Sequence, residues 1–316
     1  MTEKVPGLSE IKRAHIRISK YVDVTPVMTA KSINEMVGAE IFFKCENFQK
    51  GGAFKMRGAT NMIMEFTPEE RTRGFATHSS GNHAQAVALA AKLIGTKAYV
   101  VMPKDSTKVK IDAVKEYGAQ VTLCEPNEKS RQETCDAVLA KTNAIFVPPF
   151  NDYRIIAGQA TAAKELIEEI EDLDYILTPV GGGGLAAGTA ISAKCIDPNI
   201  KVILGEPEKA DDTYRSFKSG ELQTVTNPKT VADGLKVSVG DKNFGIIKEL
   251  VEDVVTVSEK EIVKAMRIIW ERMKIIIEPS SAVPFAVALK NKKLLAGKRV
   301  GMILTGGNVD VTKLPF

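Results

Sequence analysis

Lys55 lies in the run Gly51-Gly52-Ala53-Phe54-Lys55-Met56-Arg57-Gly58-Ala59. A lysine among small residues, with an aromatic ring beside it, can meet a planar ligand at close range. Amine chemistry needs a pKa lowered by burial or by neighbouring cations, and Arg57 is near; an ordinary surface lysine is the competing reading. Ser79-Ser80-Gly81-Asn82-His83 runs from a strand into a helix, where free N–H groups and the dipole suit a carboxylate. A simple N-cap turn, with a structural His83, fits the same residues. Gly181-Gly182-Gly183-Gly184 costs conformational entropy unless its backbone has a task, and its N–H groups can converge on one phosphate. That run also fits a dinucleotide fingerprint. Gly181, Gly183 and Ala186 follow a strand, and Glu206 follows the next one, as in an NAD-dependent dehydrogenase. Glu206 and Asp212, with the carbonyl of Ala210 between them, can hold a hard divalent cation; a solvated loop with helix-capping acids is the alternative. Thr305, at a strand end before Gly306-Gly307-Asn308, can meet a ring nitrogen or merely cap a turn. Glu278-Pro279-Ser280 reads as a polar turn lining the same cleft.

The elements that must position these residues alternate. Strands are expected at Phe75–His78, Ala98–Met102, Gln120–Cys124 and Ala144–Val147, with helices at 82–94, 107–117 and 127–142 between them. A second alternation follows: helix 155–170, strand Tyr175–Val180, helix Gly184–Lys194, strands Val202–Gly205 and Val254–Val257, helix Glu259–Met273 and strand Val300–Leu304. Before them come a helix, Ser9–Tyr21, with Ile11, His15, Ile18 and Val22 along one side, and the strand Glu40–Cys45. The pattern predicts an α/β protein of two three-layer α/β/α lobes with mostly parallel sheets, the smaller inserted in the larger. The large domain comprises 1–72 and 149–316, and a small mobile domain spans 73–148.

Composition excludes other classes. The 43 basic and 39 acidic residues are interspersed, which argues against nucleic acid or a membrane surface as partner. No apolar run reaches membrane-spanning length, and residues 1–20 carry Glu3, Lys4, Glu10, Lys12 and Arg13 without the apolar core of a signal peptide. Four dispersed cysteines without a CxxC pair point to reduced thiols and a cytoplasmic protein.

Taken in order, the motifs resemble the fold-type II pyridoxal 5′-phosphate (PLP) family, in its serine racemase and serine/threonine dehydratase branch, whose fold is tryptophan synthase β-like. The matching pieces are Phe43–Gln49, Phe54–Ala59, Ser79–Gln85, the tetraglycine, Ala210–Asp212, Ala232–Gly234 and Thr305–Asp310. The resemblance implies that Lys55 carries PLP, that Phe54 and Asn82 contact its ring, and that Gly181 to Gly184 bind its phosphate. It places Gly234 and Glu278 around the cofactor and Thr305 at the ring nitrogen. Substrate binding falls to Ser79, Ser80, Gly81, Asn82, His83 and Arg131. Lys55 and Ser80 become the two bases on opposite faces of the α-carbon. Dehydratases of the family commonly have alanine where Ser80 stands, so Ser80 argues for racemisation beside elimination. Glu206, Ala210 and Asp212 match a Mg²⁺ or Mn²⁺ site remote from the chemistry, and Lys50 and Asn308 suggest an ATP activator site. A homodimer is implied. Ala53, where many relatives have serine, leaves serine, threonine and 3-hydroxyaspartate open as substrates. A chain ending at Phe316 has no room for the regulatory domain of biosynthetic threonine deaminases.

Overall fold

Strands buried on both faces dictate a sheet covered by helices on both sides. In this computed structural model, which describes residues 4–106 and 108–316, ten strands are seen. They are β1 (Val27–Met28), β2 (Glu40–Cys45), β3 (Phe75–His78), β4 (Ala98–Pro103), β5 (Gln120–Cys124), β6 (Ile145–Phe146), β7 (Tyr175–Pro179), β8 (Lys201–Pro207), β9 (Asp253–Val257) and β10 (Arg299–Leu304). Glu3, and Thr107 at the start of the expected helix 107–117, lie outside the described residues.

Six strands form one sheet in the order β1-β2-β10-β7-β8-β9, and four form a second in the order β5-β4-β3-β6. Every pairing is parallel except the short β1 against β2. On one face of the large sheet Leu177, Ile203, Met302 and Leu304 pack with helices Glu259–Met273 and Pro279–Lys290. On the other, Ile176, Val202, Leu204 and Ile303 pack with helices Tyr153–Glu169 and Gly184–Ile196. Each such fully buried aliphatic side chain contributes roughly 1.5–3 kcal/mol. Helix Glu259–Met273 starts at a capping box: Ser258 Oγ accepts from Glu261 N, and the Glu261 carboxylate accepts from Ser258 N at 2.7 Å.

Helix Lys55–Glu65 meets helix Tyr153–Glu169 at two glycines, since a Cβ on Gly158 would lie 2.7 Å from the Gly58 Cα. The fully buried Arg57 clamps the same pair. It donates to the Glu46 carboxylate at 2.7 Å and to Glu165 at 2.6 Å, and Lys44 reaches Glu165 at 2.7 Å. Removing one partner of such a buried network costs about 3–5 kcal/mol.

The N-terminal helix is Leu8–Ile18, three residues shorter at its C-terminal end than expected, and buries Ala14 where His15 was placed. Among the helices that the sequence reading did not expect, two bear directly on the site. Lys55–Glu65 carries the lysine itself, and Pro279–Lys290 replaces the polar turn expected at Glu278–Ser280.

Candidate active site

β7 and β10 are neighbours in the sheet, so the tetraglycine and Thr305 leave it side by side at their C-terminal ends. The segment before Lys55 is strapped to the same edge: Ala53 bridges Gly306, and Phe54 N donates to Thr305 O at 3.0 Å. Lys55 opens its helix with Nζ 5.2 Å from the centroid of the Phe54 ring, donating to Pro149 O at 2.8 Å. Burial lowers its pKa to about 8, partly opposed by the Glu278 carboxylate. The expectation that Arg57 helps lower it is corrected. Its guanidinium is neutralised by Glu46 and Glu165, and burial alone drives the shift.

β3 delivers the second motif. Ser79 N donates to Val101 O at 3.1 Å and Gly81 N to Ser79 Oγ at 3.3 Å, while the N–H groups of Ser80, Asn82 and His83 find no acceptor among the described residues. The Ser80 hydroxyl is half-buried and likewise unpartnered among them. His83 Nε2 lies 3.1 Å from Val147 O, and a carbonyl only accepts, so that nitrogen carries the proton. Burial first, then the nearby Lys55 charge, drives the His83 pKa down to about 3. His83 therefore offers a lone pair at Nδ1 rather than a positive charge. Lys55 and His83 both end on the segment 147–149, which draws the two motifs together. Asn82 Nδ2 donates to both Glu278 oxygens at 2.9 and 3.1 Å and its Oδ1 accepts from Asn308 at 3.0 Å. Burial and the charge of Asp233 push the Glu278 carboxyl up to about 8.

The tetraglycine is shaped by what packs against it. A Cβ on Gly182 would overlap the Phe150 ring, and one on Gly181 would sit 3.0 Å from the Leu235 Cα. Gly183 has φ of +91° and lies under Asn243. Gly182 O accepts from Asn243 Nδ2 at 2.6 Å and from Gly240 N at 3.2 Å. The N–H groups of Gly181 to Leu185 have no acceptor among the described residues, at the N-terminus of the 13-residue helix Gly184–Ile196. This is an anion cradle. Gly234 adjoins Gly181, and its N–H donates to Ser280 Oγ at 3.1 Å.

Thr305 is buried, and its Oγ1 lies 3.0 Å from the hydroxyl of Ser281, a residue the sequence reading missed. The signal for it existed: Pro279 at the first turn before the apolar run from Ala282 marks a helix start. Phe150, Asn243 and the Pro149 carbonyl were missed because nothing local in their sequence marks them.

Glu206 and Asp212 come together as expected. Glu206 accepts from Thr213 N and Tyr214 N at 3.0 and 2.8 Å, and Asp212 from Val239 N at 2.8 Å. Burial pushes Glu206 to about 8, with Asp212 adding to it, and burial pushes Asp212 to about 6. No cluster of three or more His, Cys, Asp or Glu suited to a metal occurs among the described residues. The pair is less remote than expected, because Val239 precedes the Gly240 that donates to Gly182 O. Arg131 sits on helix Glu128–Thr142, where its charge acts on His78, the residue before Ser79, and on Cys124. Lys50 pairs with Asp23 at 2.8 Å, and Asn308 is held by Gly51 O and Asn82. No helix among the described residues is long and apolar enough to cross a membrane.

The family model described as pyridoxal-phosphate dependent enzyme matches residues 18–306. The chain is 49% identical over 312 residues to the beta-hydroxyaspartate dehydratase of Paracoccus denitrificans, covering 99% of both chains. It is 50% identical over 313 residues to the serine racemase of Dictyostelium discoideum, covering 97% of this chain and 96% of that one. The crystal structure of that racemase superposes with a TM-score of 0.93, covering 98% of this chain and 100% of the other. The dehydrogenase alternative is thereby set aside, and the glycine run is read within a different fold. The chain belongs to the pyridoxal-phosphate-dependent enzymes, in the fold-type II branch that holds the serine racemases and threonine deaminases.

Proposed function

We propose that the chain interconverts L- and D-serine and also eliminates water from L-serine and L-threonine, giving the keto acid and ammonia. The carrying observation is the convergence of the half-buried Lys55 amine and the Ser79–His83 loop on the segment 147–149.

The residues present fit PLP. A half-buried lysine with lowered pKa suits an aldehyde, the unpartnered N–H groups of Gly181 to Leu185 suit a phosphate, and Phe54, Asn82, Gly234, Glu278 and Thr305 surround the space between. When bound, PLP supplies an electron sink for charge developing at the substrate α-carbon. The N–H groups of Ser80, Asn82 and His83 hold the substrate carboxylate, with Ser79 and Gly81 shaping the turn. Lys55, neutral in a useful fraction near its pKa of about 8, takes the α-proton from one face. Ser80 returns a proton to the other. A buried, neutral His83 adds no charge to that carboxylate, and its Nδ1 lone pair meets no donor among the described residues. Thr305 offers the ring nitrogen a neutral hydroxyl, a weaker sink suited to racemisation and elimination rather than transamination.

A second reading, dehydration of 3-hydroxyaspartate with little racemisation, is supported by the 49% identity to the Paracoccus dehydratase and by Ala53. In it Arg131 receives the extra carboxylate. Mg²⁺ or Mn²⁺ at Glu206, Asp212 and the Ala210 carbonyl fits the donor set, since a cation offsets two buried acids that otherwise repel. ATP at Lys50 and Asn308, a homodimer and a cytoplasmic location complete the reading. So does a mobile small domain at 73–148, tied to the rest by the Lys110–Asp233 pair at 2.6 Å.

Chiral product analysis with L-serine, L-threonine and both 3-hydroxyaspartate diastereomers decides between the readings. D-serine formation supports racemisation; turnover of 3-hydroxyaspartate alone supports the second. Ser80→Ala is expected to cut D-serine formation by about 10²-fold or more while sparing most elimination. Equal loss of both activities contradicts the two-base assignment.

A further inference from the structure

The hydroxyl of Ser281 is fully buried at the start of helix Pro279–Lys290 and touches three polar groups. It accepts from Gly306 N at 2.8 Å, lies 2.7 Å from Gly306 O, and lies 3.0 Å from Thr305 Oγ1. A serine hydroxyl has one proton to give. Gly306 N can only donate and Gly306 O can only accept, so the Ser281 proton has two destinations.

If it goes to Gly306 O, the Thr305 proton turns back to Ser281 Oγ, and Thr305 shows the cleft a lone pair. A protonated ring nitrogen then suits it. If the Ser281 proton goes to Thr305 Oγ1, the Thr305 proton is released toward the cleft, where an unprotonated ring nitrogen accepts it. Gly306 O does not go unsatisfied in the second arrangement, because Glu278 N also donates to it at 3.0 Å. Both arrangements leave these buried groups paired, and the second is the one that presents a donor to a neutral pyridine. Nor is a carboxylate available to hold a proton on that nitrogen through Thr305, whose only side-chain hydrogen-bond partner among the described residues is Ser281.

We infer that Ser281 is a positioning residue: by donating to Thr305 it orients the Thr305 hydroxyl as a donor to the cofactor's ring nitrogen and keeps that nitrogen unprotonated. This rests on the reading that Thr305 faces the ring nitrogen of PLP.

The test is a double-mutant cycle on PLP affinity, using equilibrium dialysis of the full chain with Ser281→Ala, Thr305→Val and the two combined. It is paired with the ¹⁵N resonance of ring-labelled PLP in each holoenzyme. Thr305→Val is expected to weaken PLP about tenfold, the loss of one hydrogen bond. Ser281→Ala is expected to weaken it several-fold alone and by nothing further in the Thr305→Val background. The wild-type resonance should be that of an unprotonated pyridine and should shift in Ser281→Ala. Additive losses, or an unchanged resonance in Ser281→Ala, overturn the inference while leaving Thr305 at the nitrogen. A Thr305→Val variant with undiminished affinity and unchanged resonance removes Thr305 from the nitrogen and the inference with it. Ser281→Ala strands the buried Gly306 N–H. If it fails to fold, Ser281→Cys, of similar size and with a weaker donor, takes its place in the cycle with the same outcomes.

Discussion

At the scale of the residue, what decides function is where burial puts protons. Lys55 is lowered to about 8 because its charged form is stripped of water. Attachment of PLP to the apoenzyme requires the neutral amine. Its rate should therefore rise with pH and level off near 8, rather than near the ordinary lysine value of 10.5. Stopped-flow absorbance across pH 6–10 checks this, and a rate still climbing at pH 10 contradicts it. Lys55 and the glycines were legible in the sequence because their neighbours are unusual: glycines cluster only where a backbone is approached closely. The cause of the lysine shift was not legible. Arg57 looked like a helpful cation two residues away, but a helix turn points it at Glu46 and Glu165, and only the fold reveals that.

At the scale of the element, strand–helix alternation carried most of the architecture, since buried parallel strands need short apolar runs and helices need amphipathic ones. The helices at Lys55 and Pro279 were hidden. The sequence pattern assigns no element to the Lys55 run, and Glu278-Pro279-Ser280 reads as a polar turn. In both, tertiary packing overrides local propensity: Gly58 admits Gln159 and the Tyr153–Glu169 helix, and Pro279 sits at the helix start, where its missing N–H costs nothing. The tetraglycine earns its composition twice, by exposing N–H groups and by making room for Phe150. Gly182→Ala is expected to cost about 1–3 kcal/mol of stability through overpacking and to weaken PLP binding about tenfold or more. Thermal unfolding and cofactor titration read both. A variant with unchanged affinity argues against the phosphate cradle.

At the scale of the molecule, the acid pair of Glu206 and Asp212 links pH to the glycine loop and is the place proposed for a cation. Their folded pKa values, about 8 and about 6, lie above the ordinary 4.5 and 3.8. Below the ordinary values both states are protonated and the full contribution is present. As pH rises, the unfolded chain releases its protons first, so stability falls until the folded values are passed. With chelator present, the unfolding temperature should drop by several degrees between pH 5 and 8. With Mg²⁺ the drop should be smaller, because a cation favours the ionised folded form. Since Asp212 holds Val239 beside the Gly240 that bonds Gly182, chelation should also weaken PLP. A pH profile identical with and without cation contradicts a metal at this pair.

The account turns on Lys55 as the covalent anchor of the cofactor. Borohydride reduction of catalytically active protein, followed by proteolysis and mass spectrometry, should find the reduced phosphopyridoxyl group on the peptide containing Lys55 and nowhere else. Active material with that lysine unmodified, or with the group fixed to another residue, would contradict it.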